Sequence, residues 1–148
     1  MTNPIVPYPG RYLLHPYVLA AIVLIIVNDA VLKPHYPGLL SGKLSDVGLC
    51  FLLPVFLTSA VEWASWGWAT LRRETWSPSG WVVHAASCGV TVGYFSALQL
   101  WPAFVEFHLA MLRTLVPGQN FVVTMDPWDL VTLPMTGLAW VFLQRQAH

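Results

Sequence analysis

Ionisable side chains are concentrated in one part of the sequence, residues 28–46, which reads NDAVLKPHYPGLLSGKLSD. It contains Asp29, Lys33, Lys43 and Asp46, although the whole chain of 148 residues has only seven acidic and seven basic residues. Long apolar runs lie on both sides of it. Such side chains could pair with each other, bind a charged ligand, or act as an acid and a base. We expect them to form a polar site on a short hairpin between two helices.

Asp29 is the charged residue that most requires a partner. It lies near the end of an apolar run, where the dipole of a helix repels an anion. A carboxylate at the centre of a bilayer costs about 2.5–3.5 kcal/mol on insertion scales, and less near the interface. Lys33 follows at the favourable spacing of four residues. We expect Lys33 or Lys43 to offset the cost, and the specific hypothesis is an Asp29–Lys43 pair across the hairpin.

A second pair of acids, Asp126 and Asp129, flanks Pro127 near the end of the chain. The alternative to a site is helix capping, with Asp126 as N-cap and Pro127 as the first helical residue. Asp46 could also serve in the first turn of a helix. On the binding hypothesis, the ligand-binding residues are Asp29, Lys33, Lys43, Asp46, Asp126 and Asp129.

The composition is that of a membrane protein. Hydrophobic residues make up 56% of the chain and charged residues 9%, whereas soluble domains carry about 25% charged residues. The formal net charge is zero, which argues against nucleic acid as a partner because phosphate binding needs a basic patch. Motifs for phosphate, dinucleotide or metal binding are missing, so we expect no cofactor and no metal site.

The apolar runs predict an all-α membrane protein that forms one bundle over residues 1–148. A span needs about 20 residues, and four runs come close to that length. The residues after the third run are too few and too charged to span, and their apolar side chains favour one side of a helix, as in helices that lie in the membrane interface. The predicted spans are 12–33, 44–66, 80–101 and 128–145, and the interfacial helix is 103–116.

Small residues recur every four positions in the third predicted span, at Ala85, Gly89, Gly93 and Ala97. Ridges of this kind let membrane helices approach closely. We expect the ridge to pack inside the protomer, and the alternative is a seam between copies or with another subunit.

Four spans place both termini on one side of the membrane. That side includes the Arg72–Arg73 pair in a short connection, and positive charge in short loops favours the cytoplasm. The protein is therefore expected in the cell membrane with both termini cytoplasmic. The first and third connections then share the outer face, which brings the six charged residues to one membrane surface.

Three short motifs resemble those of the VanZ-like family of small polytopic membrane proteins. The family has a polar Asp-Lys motif before an apolar helix, and GKLSDVGLCFLLPVF resembles it here. The family also has a helix that ends before a proline, to which SALQLWP is similar. Its last helix begins with an Asp-Leu step, as in DPWDLVTLPMTGLAW. Ser96 stands where the family has a glutamate. The resemblance implies a role at the cell envelope, near glycopeptides or lipid-linked wall precursors. The matching positions are Lys43, Asp46, Gln99, Asp129 and Gly137.

The leading functional hypothesis is a binding or accessory membrane protein whose outer-face polar pocket holds a lipid headgroup or an envelope precursor. Its partners would be membrane lipids, with a homo-oligomer or a larger membrane complex as a further possibility. One alternative is a subunit of a complex or pore that assembles through the third span. The other is a membrane-embedded enzyme that uses Asp residues as acid and base or as metal ligands.

Overall fold

The computed structural model describes residues 8–36 and 38–146, and within them the chain is helical or irregular, without a strand. A continuous helix, Pro16–His35, consists of α1 (Pro16–Val27), a π-helical segment (Asn28–Leu32) and α2 (Lys33–His35). The remaining α-helices are α3 (Leu39–Arg72), α4 (Trp81–Leu100), α5 (Pro102–Leu115) and α6 (Pro134–Gln146). Two 3-10 segments, Arg11–Leu14 and Pro127–Thr132, precede α1 and α6. The all-helical class is confirmed.

Three helices in the described residues are long and apolar enough to cross a membrane: Pro16–His35, Ser41–Arg72 and Trp81–Leu100. The region of the fourth predicted span is divided instead. Its first part is the 3-10 segment Pro127–Thr132, and α6 follows with 13 residues. The division falls at Pro134, which has no N–H to donate and is therefore suited to the first position of a new helix.

Helix α3 is longer at both ends than predicted. It begins at Leu39 rather than near residue 44, because the Ser41 hydroxyl accepts from the Gly38 N–H at 3.0 Å and donates to the Tyr36 carbonyl at 2.9 Å. Ser45 is therefore an interior residue of α3. The helix continues to Arg72, and Arg73 ends it in the left-handed conformation at φ 57°.

Helices α1, α3 and α6, with the 3-10 segment before α1, pack around a small apolar core. Its buried members from different elements include Tyr12, Val18, Val55 and Leu143. Pro54 contributes to the packing indirectly, because it lacks the N–H that would bond the carbonyl of Cys50 four residues earlier. The Thr136 hydroxyl donates to that carbonyl at 3.1 Å, so α6 supplies the hydrogen bond that the proline removes from α3.

Helix α5 is a separate element and not an extension of α4. Trp101 is extended between them, at φ −124° and ψ 100°, and Pro102 opens α5. The helix lies against α4, where the hydroxyl of Tyr94 is hydrogen-bonded to Nδ1 of His108 and the Phe104 ring meets the Tyr94 ring edge to face. The predicted element 103–116 thus exists as a helix with nearly those bounds.

The two glycines of the small-residue ridge of α4 do not pack inside the protomer, contrary to the prediction, whereas Ala85 and Ala97 are half-buried. Gly89 and Gly93 are exposed, and a Cβ built on either would meet no described atom within 4 Å. The opposite face of α4 is the buried one, and four of its five buried residues are polar: His84, Ser87, Thr91, Phe95 and Gln99. Hydrogen bonds between polar side chains therefore help to position α4. For example, the Thr58 hydroxyl of α3 donates to the Ser87 hydroxyl of α4 at 3.1 Å.

The bundle has two distinct ends. At one end the Arg11 side chain donates to the Gln146 carbonyl at 2.5 Å, which joins the first and last parts of the described chain. At the other end the start of α3 meets the 3-10 segment that precedes α6, through Lys43 and Asp129. The charged residues predicted to form a site lie at this second end, called here the rim.

Candidate functional site

Lys43 is the residue that joins the two parts of the rim. Its ammonium lies 2.5 Å from Oδ1 of Asp129 and 3.7 Å from Oδ2 of Asp126. The side chains of Lys43 and Asp129 are only 24% and 15% exposed, so the pair is partly withdrawn from solvent. Residues 86 positions apart are thereby held together by a charge-assisted hydrogen bond, which is among the stronger polar contacts in proteins.

Asp29 is paired within its own helix and not across the hairpin. The Lys33 ammonium lies 2.7 Å from Oδ1 of Asp29, at the spacing of four residues. The Ser45 hydroxyl of α3 donates to the same oxygen at 2.6 Å. The Asp29–Lys43 hypothesis is therefore wrong, because Lys33 reaches Asp29 along one helix face while Lys43 turns to the acids of the 3-10 segment.

The π-helical segment brings Asn28 into the interior next to Asp29. Asn28 is fully buried, and its Nδ2 donates to the Ser41 carbonyl at 2.7 Å and to the Ser45 hydroxyl at 2.8 Å. Single π turns inside α-helices are frequent at functional sites. Here the wider turn lets two successive side chains, Asn28 and Asp29, both contact α3.

The two acids of the 3-10 segment combine capping with ion pairing. Oδ1 of Asp126 accepts from the Trp128 N–H at 2.9 Å, which is the predicted N-cap bond. Its other oxygen faces Lys43. Asp46 is not a cap, since it lies in the interior of α3, and it has neither a hydrogen bond nor an ion pair with any described residue.

A cavity of about 520 Å³ opens at the rim between α3, α4 and the chain before α6. Five of the six predicted binding residues line it, and Asp29 adjoins it through Lys33. The lining combines charged side chains with polar and apolar ones. Its side chains are Lys33, Lys43, Asp46, Leu49, Phe95, Leu98, Gln99, Val122, Val123, Thr124, Asp126 and Asp129. A ligand with a charged end and an apolar end would fit such a surface.

Gln99 is a cavity residue that charge patterning alone did not identify. It is 6% exposed, and its Oε1 accepts from the Asp126 N–H at 2.9 Å, which ties α4 to the acidic 3-10 segment. The signal available in the sequence was its place in the SALQLWP motif, before the proline that ends the helix. For Asn28, the only feature in the sequence that could have indicated a place in the site was its position next to Asp29.

A second polar cluster lies at the end of the bundle near the termini, around Glu62. This carboxylate is 1% exposed and accepts from the Gly10 N–H at 3.0 Å, the Ser79 N–H at 3.1 Å and the Tyr12 hydroxyl at 3.2 Å. Burial and the neighbouring Glu62 raise the pKa of the Tyr12 phenol, so its hydroxyl stays protonated and donates.

His84 lies beside that cluster and is fully buried. Its ring meets the Tyr12 ring edge to face at 6.2 Å, and neither ring nitrogen has a hydrogen-bond partner among the described residues.

The rim can form ion pairs and hydrogen bonds with a ligand, and its geometry is less suited to metal-assisted chemistry. In the parts of the chain that the structure describes, no three His, Cys, Asp or Glu side chains converge closely enough to hold a metal ion. Asp29 and Asp126 are each engaged by a different lysine. The structure therefore does not bring Asp29, Asp46 and Asp126 together as ligands of one ion.

Comparisons with known proteins give no relative for this chain. No family model matches it, and no curated protein and no solved structure is significantly similar to it. The VanZ-like resemblance therefore remains a hypothesis that rests on its three short motifs, and the function must be argued from the site itself.

Proposed function

We propose that the chain is a multi-pass membrane protein whose rim cavity binds the polar headgroup of a lipid or of a lipid-linked envelope precursor. The observation that carries this proposal is the position of Lys43, which holds Asp126 and Asp129 at the mouth of a cavity between apolar helices. Charged side chains beside membrane-spanning helices are costly unless they are paired or used. A headgroup at the interface can meet the charges while its acyl chains contact the apolar lining.

The proposal includes four crossings and one interfacial helix. The 3-10 segment Pro127–Thr132 rises about 2 Å per residue and α6 about 1.5 Å per residue, so that together they extend about 30 Å, the thickness of a bilayer core. Helix α5 is 14 residues long, or about 21 Å, and exposes the apolar side chains Phe107 and Leu115. A helix of this kind is stable in the plane of the interface.

The rim faces the outside in this proposal, and both termini lie in the cytoplasm. Arg72 and Arg73 at the end of α3 support that orientation through the excess of positive charge in cytoplasmic loops. The resemblance to VanZ-like proteins supports a role in the cell envelope.

Photocrosslinking in native membranes tests the proposal. A photoreactive amino acid replaces Val122, which lines the cavity and is 85% exposed. The matched control replaces Val90, an exposed residue of α4 outside the cavity lining. We expect adducts from position 122 to be enriched in one headgroup class relative to position 90. The same lipid distribution at both positions would contradict the proposal.

A second candidate function is assembly into a membrane complex through α4. The specific observation is that the ridge residues Gly89 and Gly93 have no neighbour within the described protomer, although such ridges allow close helix contact. Disulfide crosslinking of Gly89→Cys in native membranes tests this, with Val90→Cys as control and the native thiols of the unaltered chain as background. Crosslinks specific to position 89 support assembly, and equal yields at 89 and 90 contradict it.

A further inference from the structure

The rim has two lysines and four carboxylates, and Asp46 is the carboxylate that has no lysine within ion-pair distance among the described residues. Both lysines are already matched, Lys33 by Asp29 and Lys43 by Asp129 with Asp126. Asp46 also lines the cavity but has no ion-pair or hydrogen-bond partner among the described residues. An unmatched carboxylate in a partly enclosed space attracts a cation, because few water molecules screen it there.

A second feature of the cavity is a side-chain amide that can donate to a ligand. Gln99 is more than nine-tenths buried and lines the cavity, and its Oε1 is used by the Asp126 N–H. Its amide nitrogen, which can donate two hydrogen bonds, has no acceptor within residues 8–36 and 38–146. This nitrogen can therefore donate to an oxygen of a ligand in the cavity.

We propose that the cavity selects a phospholipid headgroup with a primary ammonium next to its phosphate, as in phosphatidylethanolamine. The ammonium pairs with Asp46, and a phosphate oxygen accepts from the amide of Gln99. This inference rests on the proposed headgroup-binding function and names its ligand class.

Two other common headgroups fit less well. A quaternary ammonium cannot donate hydrogen bonds and is usually bound in an aromatic cage, whereas Phe95 is the single aromatic side chain in the described lining. A purely anionic headgroup would leave Asp46 unmatched and would compete with carboxylates for Lys33 and Lys43. The cavity is therefore expected to prefer ethanolamine over choline and over glycerol headgroups.

Native mass spectrometry of the purified full-length chain tests the preference with three lipids that share acyl chains and differ in headgroup. We expect phosphatidylethanolamine to bind at least about tenfold more tightly than phosphatidylcholine and phosphatidylglycerol. This ratio of affinities corresponds to one hydrogen bond to a charged group. In Asp46→Asn the preference should disappear, while Glu106→Gln, an exposed acid at the same end of the bundle, should keep it. Equal or tighter binding of phosphatidylglycerol to the unaltered chain overturns the inference.

Competition with soluble phosphoethanolamine needs no variant and separates the possible sources of the amine. We expect weak competition, because the apolar lining at Leu49 and Leu98 contributes only when acyl chains are present. Competition as strong as that of the whole lipid overturns the assignment to a lipid. Selective binding of a headgroup without an amine would refute this inference but keep headgroup binding, whereas the absence of any selective binding would refute the proposed function itself.

Discussion

Replacing Glu62 with Gln should detach two segments from the end of the bundle. The carboxylate accepts three hydrogen bonds, two of them from backbone N–H groups, at Gly10 and Ser79. Gln retains one acceptor oxygen and turns an NH₂ group towards a donor. Losing one or two bonds to a buried charged group, at about 1.5–3 kcal/mol each, gives an expected loss of about 2–5 kcal/mol in local stability.

Hydrogen–deuterium exchange measures this loss directly at the amides of Gly10 and Ser79. A decrease of 2 kcal/mol in the free energy of opening corresponds to exchange about 30-fold faster. Glu106→Gln is the matched control, because Glu106 is exposed and makes no described hydrogen bond. Unchanged exchange at both amides in Glu62→Gln would refute the assignment of Glu62 as the residue that holds these segments.

Two further predictions concern packing at and near the rim. Asp129→Asn should lower the stability of the detergent-solubilised chain by about 1–3 kcal/mol, because the partly buried 2.5 Å pair with Lys43 is lost. Asp126→Asn should cost less than about 1 kcal/mol, since its distance to Lys43 is 3.7 Å and Asn can still cap the 3-10 segment. Equal losses of stability for the two variants in thermal unfolding would contradict this ranking. Gly48→Val should cost about 1–3 kcal/mol, because even a Cβ would lie 2.7 Å from a side-chain carbon of α1; Gly67→Val, with open space around it in the same helix, should be nearly neutral by the same measurement.

The sequence was most informative about the helices and about which charges lie together. Apolar runs predicted α1, α3 and α4 because a continuous hydrophobic helix is the simplest way to satisfy backbone groups in lipid. The prediction that the first and third connections lie on one membrane face placed Lys43 near Asp129. The two side chains are in contact in the structure. The exact partners were not predictable, because a lysine side chain reaches several acids and tertiary geometry selects among them.

The errors came from features that depend on packing. Helix α3 extends beyond its predicted bounds because Ser41 caps it early and because Ala69 is buried near its end. The ridge at Gly89 and Gly93 is a spacing pattern, and spacing cannot tell which face of a helix meets its own bundle. Four of the five buried residues of α4 are polar, and most of the large apolar side chains of that helix face outward, which reverses the usual rule.

Labelling with a membrane-impermeant maleimide in intact cells tests the central claim most directly, namely that the rim cavity opens at the outer face of a membrane bundle. Thr124→Cys places a thiol in the cavity lining and Glu74→Cys places one in the connection between α3 and α4, at the opposite end. The account predicts that position 124 is labelled from outside and position 74 only after permeabilisation. Labelling in the reverse order, or recovery of the chain in the soluble fraction, would contradict it.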